Sequence, residues 1–439
     1  MKKLKMYVFN VGLILFTALI ITGIGNQGLK AAQQVDSTWT IINPSICAGR
    51  PLNEVINENM WPERKFYITD GVYNLTGNIQ ANDDNVIIQG QSKQNTKLVQ
   101  NNPSSNSIDV TANGVQISNL SINNKLGGAA VSVQNSNNVT VDSCIIYGAQ
   151  NDNAVVFIKG SKNEIQNVES GNLNMCNVLS NNDIFSSYPW DGVLFSKQNH
   201  GSVQNNIING SRIAFYLCRN SDVTNNRIEN SPTNGIRYAV PAYDNKIVSN
   251  TIENSKGSAI LATRYNPSIT PESYRANDVK IKNNTIIGSR YFGIEVNNLK
   301  NSDISGNNIQ DADFYGIYML SSDALSVVKN QIQDSNYLSI DGQVQHWDGR
   351  YNAGIMLDST VTGSSMDGNT IVNSATNCPY GIRIQPNVSN NSNIIINNIV
   401  NGDFGDGISA RVDAPFNNII GDGNVVTLKS SKAQSAVKK

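Results

Sequence analysis

Three residues that can bind anions or move protons recur at one position of a repeated segment. Arg237, Glu295 and Tyr318 each follow a Gly-Ile pair and precede an apolar or aromatic residue. An arginine binds carboxylates through paired hydrogen bonds, a carboxyl group acts as a general acid or base, and a tyrosine can donate a proton or stack against an apolar ring. Charged side chains inside apolar segments predict a site on an outer surface, and the elements that carry them decide whether they meet.

The repeat that carries these residues runs through most of the chain. Its small residues, at positions 192, 214, 235, 259, 293, 316, 354, 381 and 407, are 21 to 38 residues apart. The segments are DGVLFS (191–196), IAFYLC (213–218), NGIRYA (234–239), SAILAT (258–263), FGIEVN (292–297), YGIYML (315–320), AGIMLD (353–358), YGIRIQ (380–385) and DGISAR (406–411). Regular self-similarity of this length indicates a solenoid, in which stacked repeats bury a continuous core.

The content of each repeat indicates strands rather than helices. A second short apolar run precedes each turn, and turns rich in Asn, Ser and Gly separate the runs. We predict stacked asparagines at equivalent turn positions, namely Asn226, Asn250, Asn284, Asn308 and Asn330. A period near 22 to 24 residues with two or three short strands is typical of one coil of a parallel β-helix. The predicted fold class is therefore all-β, a single right-handed parallel β-helix solenoid with an N-terminal cap.

The segments outside the repeat define the domain boundaries. Residues 1–32 place three lysines before an apolar stretch, which is typical of a signal peptide, with an uncleaved membrane anchor as the alternative. Residues 33–64 are predicted to be an N-terminal cap with a short amphipathic helix near 52–60, since an open solenoid end needs covering. The β-helix is expected over 65–427, and 428–439 form a polar, basic tail.

The overall charge argues against nucleic acid as a partner. The 439 residues contain 33 Lys and Arg against 34 Asp and Glu, which gives a net charge of −1. A nucleic-acid-binding protein usually has a clear basic excess. The five cysteines show no CxxC spacing, so we predict no zinc site and expect buried, unreactive thiols.

Side-chain alternation in the strands predicts which residues face outward. If Ile236 and Tyr238 point inward, Arg237 points out, and stacked coils then form columns of outward residues about 4.8 Å apart. One predicted column is Leu194, Tyr216, Arg237, Leu261, Glu295, Tyr318, Met356, Arg383 and Ser409. The neighbouring column is Ser196, Cys218, Ala239, Thr263, Asn297, Leu320, Asp358, Gln385 and Arg411. The competing interpretation is an ordinary solvated face with charges of both signs.

The Asn-x-Ile and Gly-Ile-x-Val coils over about 65–425 resemble the right-handed parallel β-helix repeat proteins. That group includes pectate, alginate and chondroitin lyases, mannuronan epimerases and several glycosidases. The resemblance implies the fold, and it implies a carbohydrate as the ligand class. The chain lacks the Asp-Pro-His motif of the epimerases, the Gly-His-Gly of polygalacturonases and the repeated acidic calcium nonapeptide. The resemblance therefore does not select one reaction.

The repeat is interrupted by two long insertions, at 264–277 and 337–352, which flank the coils of Glu295 and Tyr318. Three function classes follow from the outward columns and these insertions. The first, preferred on sequence, is β-elimination or C5-epimerisation of an acidic polysaccharide. In it Arg237 or Arg383 would bind the uronate carboxylate, and Tyr318, Arg264 or His346 would act as base or acid. The second is a glycosidase or transferase pairing Glu295 with Asp313, Asp341, Asp348 or Asp358. The third is a non-catalytic glycan-binding or structural solenoid.

The predicted sites divide into two groups. The candidate catalytic residues are Arg237, Glu295, Tyr318, His346 and Arg264, and the candidate substrate-binding residues are Tyr216, Arg383, Trp347, Asp348 and Asp358. We predict no metal site and no cofactor, with Ca²⁺ as the alternative. The expected partner is a polysaccharide bound by a monomer that is secreted or held at the cell surface.

Overall fold

Turns rich in Asn, Ser and Gly interrupt every apolar run of this chain, so its strands are short and its architecture comes from stacking. The computed structural model describes residues 37–160, 173–240, 242–264, 275–335, 353–385, 390–409 and 417–428. The predicted signal peptide and basic tail lie outside the described residues. The described residues from Thr40 onward form one compact unit.

Fifteen strands stack in parallel to form the first face of the solenoid, which we call sheet 1. Their pairing is in register from coil to coil, for example Ile281 with Ile304 and Ile304 with Val327. The strands are Trp39–Ile42, Lys65–Ile68, Ile87–Gly90, Gln116–Ser118, Thr140–Asp142, Val178–Ser180, Ser202–Gln204, Asp222–Thr224, Lys246–Val248, Lys280–Lys282, Asp303–Ser305, Ser326–Val328, Ser365–Asp367, Ile394–Ile396 and Ile419–Ile420.

A second parallel ladder, sheet 2, follows sheet 1 in every coil. It contains Gly71–Leu75, Thr96–Gln100, Ser121–Asn123, Ile145–Tyr147, Asp183–Phe185, Ile207–Asn209, Arg227–Glu229, Thr251–Ser255, Thr285–Ser289, Asn308–Ala312, Gln331–Gln333 and Val425–Leu428. The long strands Thr370–Ile384 and Ile399–Ser409 begin in sheet 2 and continue into the next ladder. They therefore join the two ladders near the C-terminal end.

The third ladder, sheet 3, carries the repeated segments that hold Arg237, Glu295 and Tyr318. Its strands are Ile79–Ala81, Ile108–Val110, Val131–Gln134, Val155–Ile158, Asp191–Ser196, Arg212–Tyr216, Ile236–Val240, Ile260–Arg264, Ile294–Asn297, Ile317–Leu320 and Ala353–Leu357. Short extra pairings join Asn174–Met175 to Gln198–Asn199, and Ala242–Tyr243 to Ala276–Asn277 and Leu299–Lys300. Three parallel sheets around one core confirm the predicted β-helix.

Aliphatic side chains from all three sheets fill the interior in columns. Ile236, Ile260, Ile294 and Ile317 pair in register along sheet 3, and each is fully buried. Each coil alone offers too little apolar surface to fold, whereas stacking removes these side chains from water at roughly 25 cal/mol per Å². The core thus holds sheet 3 in a fixed register, which positions its outward residues.

Buried asparagines form a hydrogen-bonded ladder at the turn between sheets 1 and 2. The Oδ1 of Asn307 accepts from the backbone N and from the Nδ2 of Asn284, both at 3.0 Å, and the Nδ2 of Asn307 donates to Ile281 O at 2.9 Å. The same pattern runs through Asn182, Asn206, Asn226, Asn250, Asn284, Asn307, Asn330, Asn369, Asn398 and Asn424. The predicted ladder is confirmed except at Asn308, which is exposed while Asn307 takes its place.

The region before the first full coil contains two short helices, α1 (Pro44–Cys47) and α2 (Leu52–Asn57). Leu52, Val55 and Ile56 of α2 are buried and belong to the same apolar cluster as the solenoid core. The predicted short helix is therefore present, and its function as a cap stays a prediction. In the part of the chain that the structure describes, no helix has the length and apolar character needed to cross a membrane.

The cysteines follow the expectation of buried thiols with one exception. Cys47, Cys144, Cys218 and Cys378 are buried, and Cys176 is exposed. Burial raises the pKa of the Cys144 and Cys218 thiols to about 12 each. Because the thiolate is the reactive form, both groups stay protonated and inert at neutral pH.

Candidate functional site

The register of sheet 3 brings most of the predicted outward residues into one column. Arg237 pairs with Leu261, Leu261 with Glu295, and Glu295 with Tyr318. We call the complete series the outer column: Gln80, Asp109, Ser132, Val156, Leu194, Ala214, Arg237, Leu261, Glu295, Tyr318, Met356, Arg383 and Ser409. Residues distant in sequence therefore share one surface, as the alternation predicted.

Tyr216 does not belong to the outer column, and its predicted position there is wrong. Ile213 pairs with Ile236, so Ala214, not Tyr216, lies beside Arg237. The prediction took Ala214 for the small residue that precedes the strand, which displaced the predicted outward positions of this coil by two residues. Tyr216 instead lies in the second outward column, next to Ala239, and Cys218, predicted to face outward, is in the core.

The outer column is accessible in its central part, as well as at Gln80 and Asp109 near one end and at Ser409 near the other. Arg237, Leu261, Glu295 and Tyr318 are partly exposed. On one side Leu194, Ala214 and Tyr216 belong to a second apolar cluster outside the solenoid core, and on the other side Met356 and Arg383 are buried. We call the accessible central part the open window, defined by Arg237, Leu261, Glu295 and Tyr318 together with Thr263, Asn297, Leu320 and Asp358 of the second column.

Glu295 is the carboxyl group in the middle of the open window. Its Oε2 accepts a hydrogen bond from the Ser258 hydroxyl at 2.6 Å. Burial raises the pKa of Glu295 above its ordinary value, and the Ser258 hydrogen bond opposes this only in part. A carboxyl group with a raised pKa keeps its proton at higher pH, which suits a general acid.

Tyr318 and Asp358 form a hydrogen-bonded pair next to Glu295. The Tyr318 hydroxyl donates to Asp358 Oδ2 at 2.7 Å. Burial and the neighbouring Asp358 carboxylate raise the pKa of Tyr318, with a smaller contribution from Glu295. The hypothesis of Tyr318 as a base required neighbouring positive charge to lower this pKa. The opposite shift makes Tyr318 a hydrogen-bond donor that holds the Asp358 carboxylate.

A cluster of aromatic rings lies next to the Tyr318–Asp358 pair. Tyr318 lies 5.1 Å from Tyr315 at an interplanar angle of 12° and 4.8 Å from Phe292, measured between ring centroids. Tyr291 and Phe314 stack at 5.8 Å and 11°. The sequence analysis did not single out these residues, although the pairs Tyr291-Phe292 and Phe314-Tyr315 precede two successive frame glycines.

The two arginines of the outer column stand apart from Glu295 and each lies over an aromatic ring. The Arg237 guanidinium is 5.5 Å from the Tyr216 ring centroid, and that of Arg383 is 4.1 Å from the Tyr380 centroid. Arg237 lies two coils before Glu295, which is about 10 Å along the axis. Arg383 donates to Gln385 Oε1 at 3.3 Å and is buried.

The other predicted residues fall in three places. Arg264 ends the strand Ile260–Arg264. His346, Trp347 and Asp348 lie outside the described residues, as does Asp341. Asp313 lies before the sheet 3 strand of Tyr318, and burial raises its pKa to about 6 although Arg290 acts in the opposite direction.

No metal centre is evident within the described ranges. No group of three His, Cys, Asp or Glu residues there has the geometry to hold a metal ion. His200, the histidine within the described ranges, is exposed and has a left-handed backbone (φ 55°).

Comparison with known proteins identifies the fold class of this chain. A family model described as a right-handed β-helix region matches residues 268–436. No curated protein matches the chain by sequence. The parallel sheets and this match make the chain a right-handed parallel β-helix protein.

Solved structures with the same architecture share little sequence identity with this chain. The A-module of mannuronan C-5 epimerase AlgE6 from Azotobacter vinelandii aligns with a TM-score of 0.57 at 12% identity, over 86% of this chain and 93% of that chain. The Dettilon tailspike protein aligns at 0.55 and 13%, over 86% and 70%. The catalytic unit of a GH87 α-1,3-glucanase from Streptomyces thermodiastaticus aligns at 0.52 and 16%, over 87% and 66%. Similarity at these identities is a similarity of fold.

Proposed function

We propose that this chain is a carbohydrate-active enzyme that cleaves glycosidic bonds of a polysaccharide in the open window. In this proposal Glu295 donates a proton to the leaving oxygen, and Asp358 acts as the base. Tyr318 orients Asp358 through its 2.7 Å hydrogen bond. The epimerase and the glucanase among the structural neighbours act on polysaccharides by their names, which supports this ligand class.

The observation that carries the proposal is the unequal environment of two nearby carboxyl groups. Burial raises the pKa of Glu295, which favours its protonated form. The carboxylate of Asp358 is instead oriented by hydrogen bonds from the Tyr318 hydroxyl at 2.7 Å and from the backbone N of Ser359 at 2.7 Å. Two carboxyl groups in different environments are the arrangement that glycoside hydrolysis uses for its acid and its base.

The spacing of the two residues favours hydrolysis with inversion. Asp358 lies two coils beyond Glu295, with Tyr318 on the coil between them. Two coils along the axis and two residues along the strand correspond to roughly 12 Å between the backbones, nearer to the roughly 6.5–9.5 Å carboxyl separation of inverting enzymes than to the roughly 5 Å of retaining ones. A water molecule between substrate and Asp358 would be the nucleophile.

A second candidate, elimination or epimerisation of an acidic polysaccharide, is favoured by an arginine of the outer column. Arg237, which is partly exposed, could bind a uronate carboxylate, whereas Arg383 is buried, and Glu295 or Tyr318 could protonate the leaving oxygen. This was the preferred reaction on sequence. It ranks second here because the pKa of Tyr318 is raised and because Arg237 lies two coils from Glu295.

The products of the reaction distinguish these candidates. The protein is incubated with alginate, pectin, glycosaminoglycans and α-1,3-glucan, and reducing ends, ultraviolet absorbance and the anomeric signal by NMR are followed. Hydrolysis predicts reducing ends without absorbance, and the first-formed anomer inverted. Absorbance from an unsaturated uronate would assign elimination instead. Retention of a polymer without any product would leave a binding protein and contradict the proposed enzyme.

A further inference from the structure

One corner of the solenoid carries exposed aromatic rings at both ends of a run of small residues. The corner position is the third residue before the first inward residue of each sheet 3 strand. These inward residues pair in register from Val193 to Ile317. We call five of these positions the aromatic corner; in order along the axis they are Trp190, Thr233, Gly257, Tyr291 and Phe314. The coil of Arg212 is shorter and contributes none, because its Gly210 continues sheet 2 and donates to Glu229 O.

Trp190 faces solvent, and a buried arginine supports its ring from the protein side. Its side chain is 53% exposed, and the Arg212 guanidinium lies 5.6 Å from its ring centroid. Arg212 is buried, and its position is fixed by an ion pair with Asp191 at 2.7 Å. The Tyr216 hydroxyl donates to the same carboxylate at 3.0 Å. An exposed tryptophan on such a support loses little conformational freedom when a ligand binds.

The corner positions between the aromatic ends hold small residues. Across the coil of Arg212 the Thr233 hydroxyl donates to Pro189 O at 3.4 Å, and Gly257 on the next coil carries no side chain. Arg212 also donates to Thr233 Oγ1 at 3.2 Å, which ties this coil to the support of Trp190. We call this stretch of small corner residues, Thr233 and Gly257 between Trp190 and Tyr291, the trough.

The far end of the trough lies on the coil of Glu295. Tyr291 is 49% exposed, stacks on Phe314, and precedes Glu295 by four residues. Trp190 lies four coils earlier, which is about 19 Å along the axis. One pyranose unit of an extended chain is comparable in length to one coil, so the trough matches about four sugar units.

We propose that the aromatic corner binds an extended polysaccharide chain, with one pyranose ring on Trp190 and another on the Tyr291–Phe314 pair. The apolar face of a pyranose ring packs on an exposed aromatic side chain, and its hydroxyls remain free to form hydrogen bonds. This inference rests on the proposed function and specifies its substrate as a long chain. Oligosaccharides that do not reach from Glu295 to Trp190 lose the distant contact.

Trp61 provides a matched control for Trp190. It is 44% exposed and also carries an arginine, since the Arg64 guanidinium lies 3.9 Å from its ring centroid. It precedes the sheet 1 strand Lys65–Ile68, so it does not belong to the aromatic corner. Trp61→Ala removes the same chemical group from another place.

The test compares Trp190→Ala, Trp190→Phe and Trp61→Ala. Binding to alginate, pectin and α-1,3-glucan is measured by affinity electrophoresis in the Glu295→Gln background, and kcat/KM is measured without that substitution on polymer and on trisaccharide. We expect Trp190→Ala to weaken polymer binding about tenfold and to lower the polymer-to-trisaccharide ratio of kcat/KM by about the same factor. Trp190→Phe should recover most of this loss, and Trp61→Ala should behave as its parent.

Two outcomes overturn the inference, and they can be told apart. If the wild type turns over a polymer and Trp190→Ala leaves both its binding and the kcat/KM ratio unchanged, the aromatic corner is not the binding site and the proposed function stands. If the wild type neither binds nor turns over any of the polymers, the proposed function fails and the corner with it.

Discussion

Replacement of Glu295 by glutamine is expected to lower kcat on the polysaccharide substrate about 10²–10⁴-fold. The amide keeps the shape of the side chain and can still accept from Ser258, but it has no proton to donate to the leaving oxygen. Because the residue is partly exposed and its partner is retained, the melting temperature should change little. Steady-state kinetics and thermal unfolding measure the two effects separately.

Glu253→Gln is the control for this substitution. Glu253 lies on the sheet 2 strand Thr251–Ser255, where it pairs with Arg227 on the neighbouring coil. It is also a partly exposed outward glutamate, so its replacement makes the same chemical change on another face. Full activity is expected in Glu253→Gln. Equal activity of the two variants would remove Glu295 from the mechanism.

The raised pKa of Glu295 also sets the direction of the pH dependence. The proton is present below the pKa of the folded protein and is lost as pH rises through it, so activity should fall on the alkaline side. The folded state holds this proton more tightly than the unfolded state. Stability from this group is therefore fully present at low pH and decreases as pH rises from the ordinary glutamate pKa through the raised one.

Replacement of Asn307 by alanine is expected to lower the free energy of unfolding by about 3–6 kcal/mol. The substitution removes the acceptor of the Asn284 N–H and Nδ2 groups and the donor to Ile281 O. These groups are buried, and each one left without a partner costs about 1–3 kcal/mol. Chemical unfolding followed by circular dichroism measures the change.

The adjacent Asn308 offers a closely matched control. Asn308 is exposed at the start of the strand Asn308–Ala312, whereas Asn307 is fully buried. Asn308→Ala should change the free energy of unfolding by no more than about 0.5 kcal/mol, as exposed substitutions usually do. Similar effects of the two substitutions would mean that the buried ladder contributes no special stability.

The repeat predicted the fold because the same physical demand returns in every coil. An apolar residue such as Ile286 or Ile309 must face the core, and an Asn must complete the turn before it. The ladder Asn lies two residues before the buried aliphatic residue in coil after coil, as in Asn284 and Ile286 or Asn307 and Ile309. This spacing selects Asn307, because the predicted Asn308 lies only one residue before Ile309.

The outward surface was harder to predict, because its composition is not constrained by the core. Ala214 resembles a turn residue in sequence, and only the pairing of Ile213 with Ile236 shows that it faces outward beside Arg237. Leu194 and Met356 belong to the outer column and are nevertheless buried, which the repeat alone does not predict. Alternation therefore gave the direction of a side chain, but not whether it reaches solvent.

The aromatic corner was missed for a related reason. Long insertions change the sequence distance between coils, so Trp190 and Tyr291, 101 residues apart in the numbering, show no common spacing. Their common position appears when each is counted back three residues from the first inward residue of its strand, Val193 or Ile294. In a solenoid with insertions, equivalent positions are therefore best assigned by counting from the buried core residues of each coil.

The structure of Glu295→Gln with a bound oligosaccharide of at least five units tests the central claim most directly. The account predicts sugar rings along the open window, with the scissile oxygen within hydrogen-bond reach of residue 295 and on the side of Asp358. Sugar bound on sheet 1 or sheet 2, with the window between Arg237 and Tyr318 empty, would contradict it.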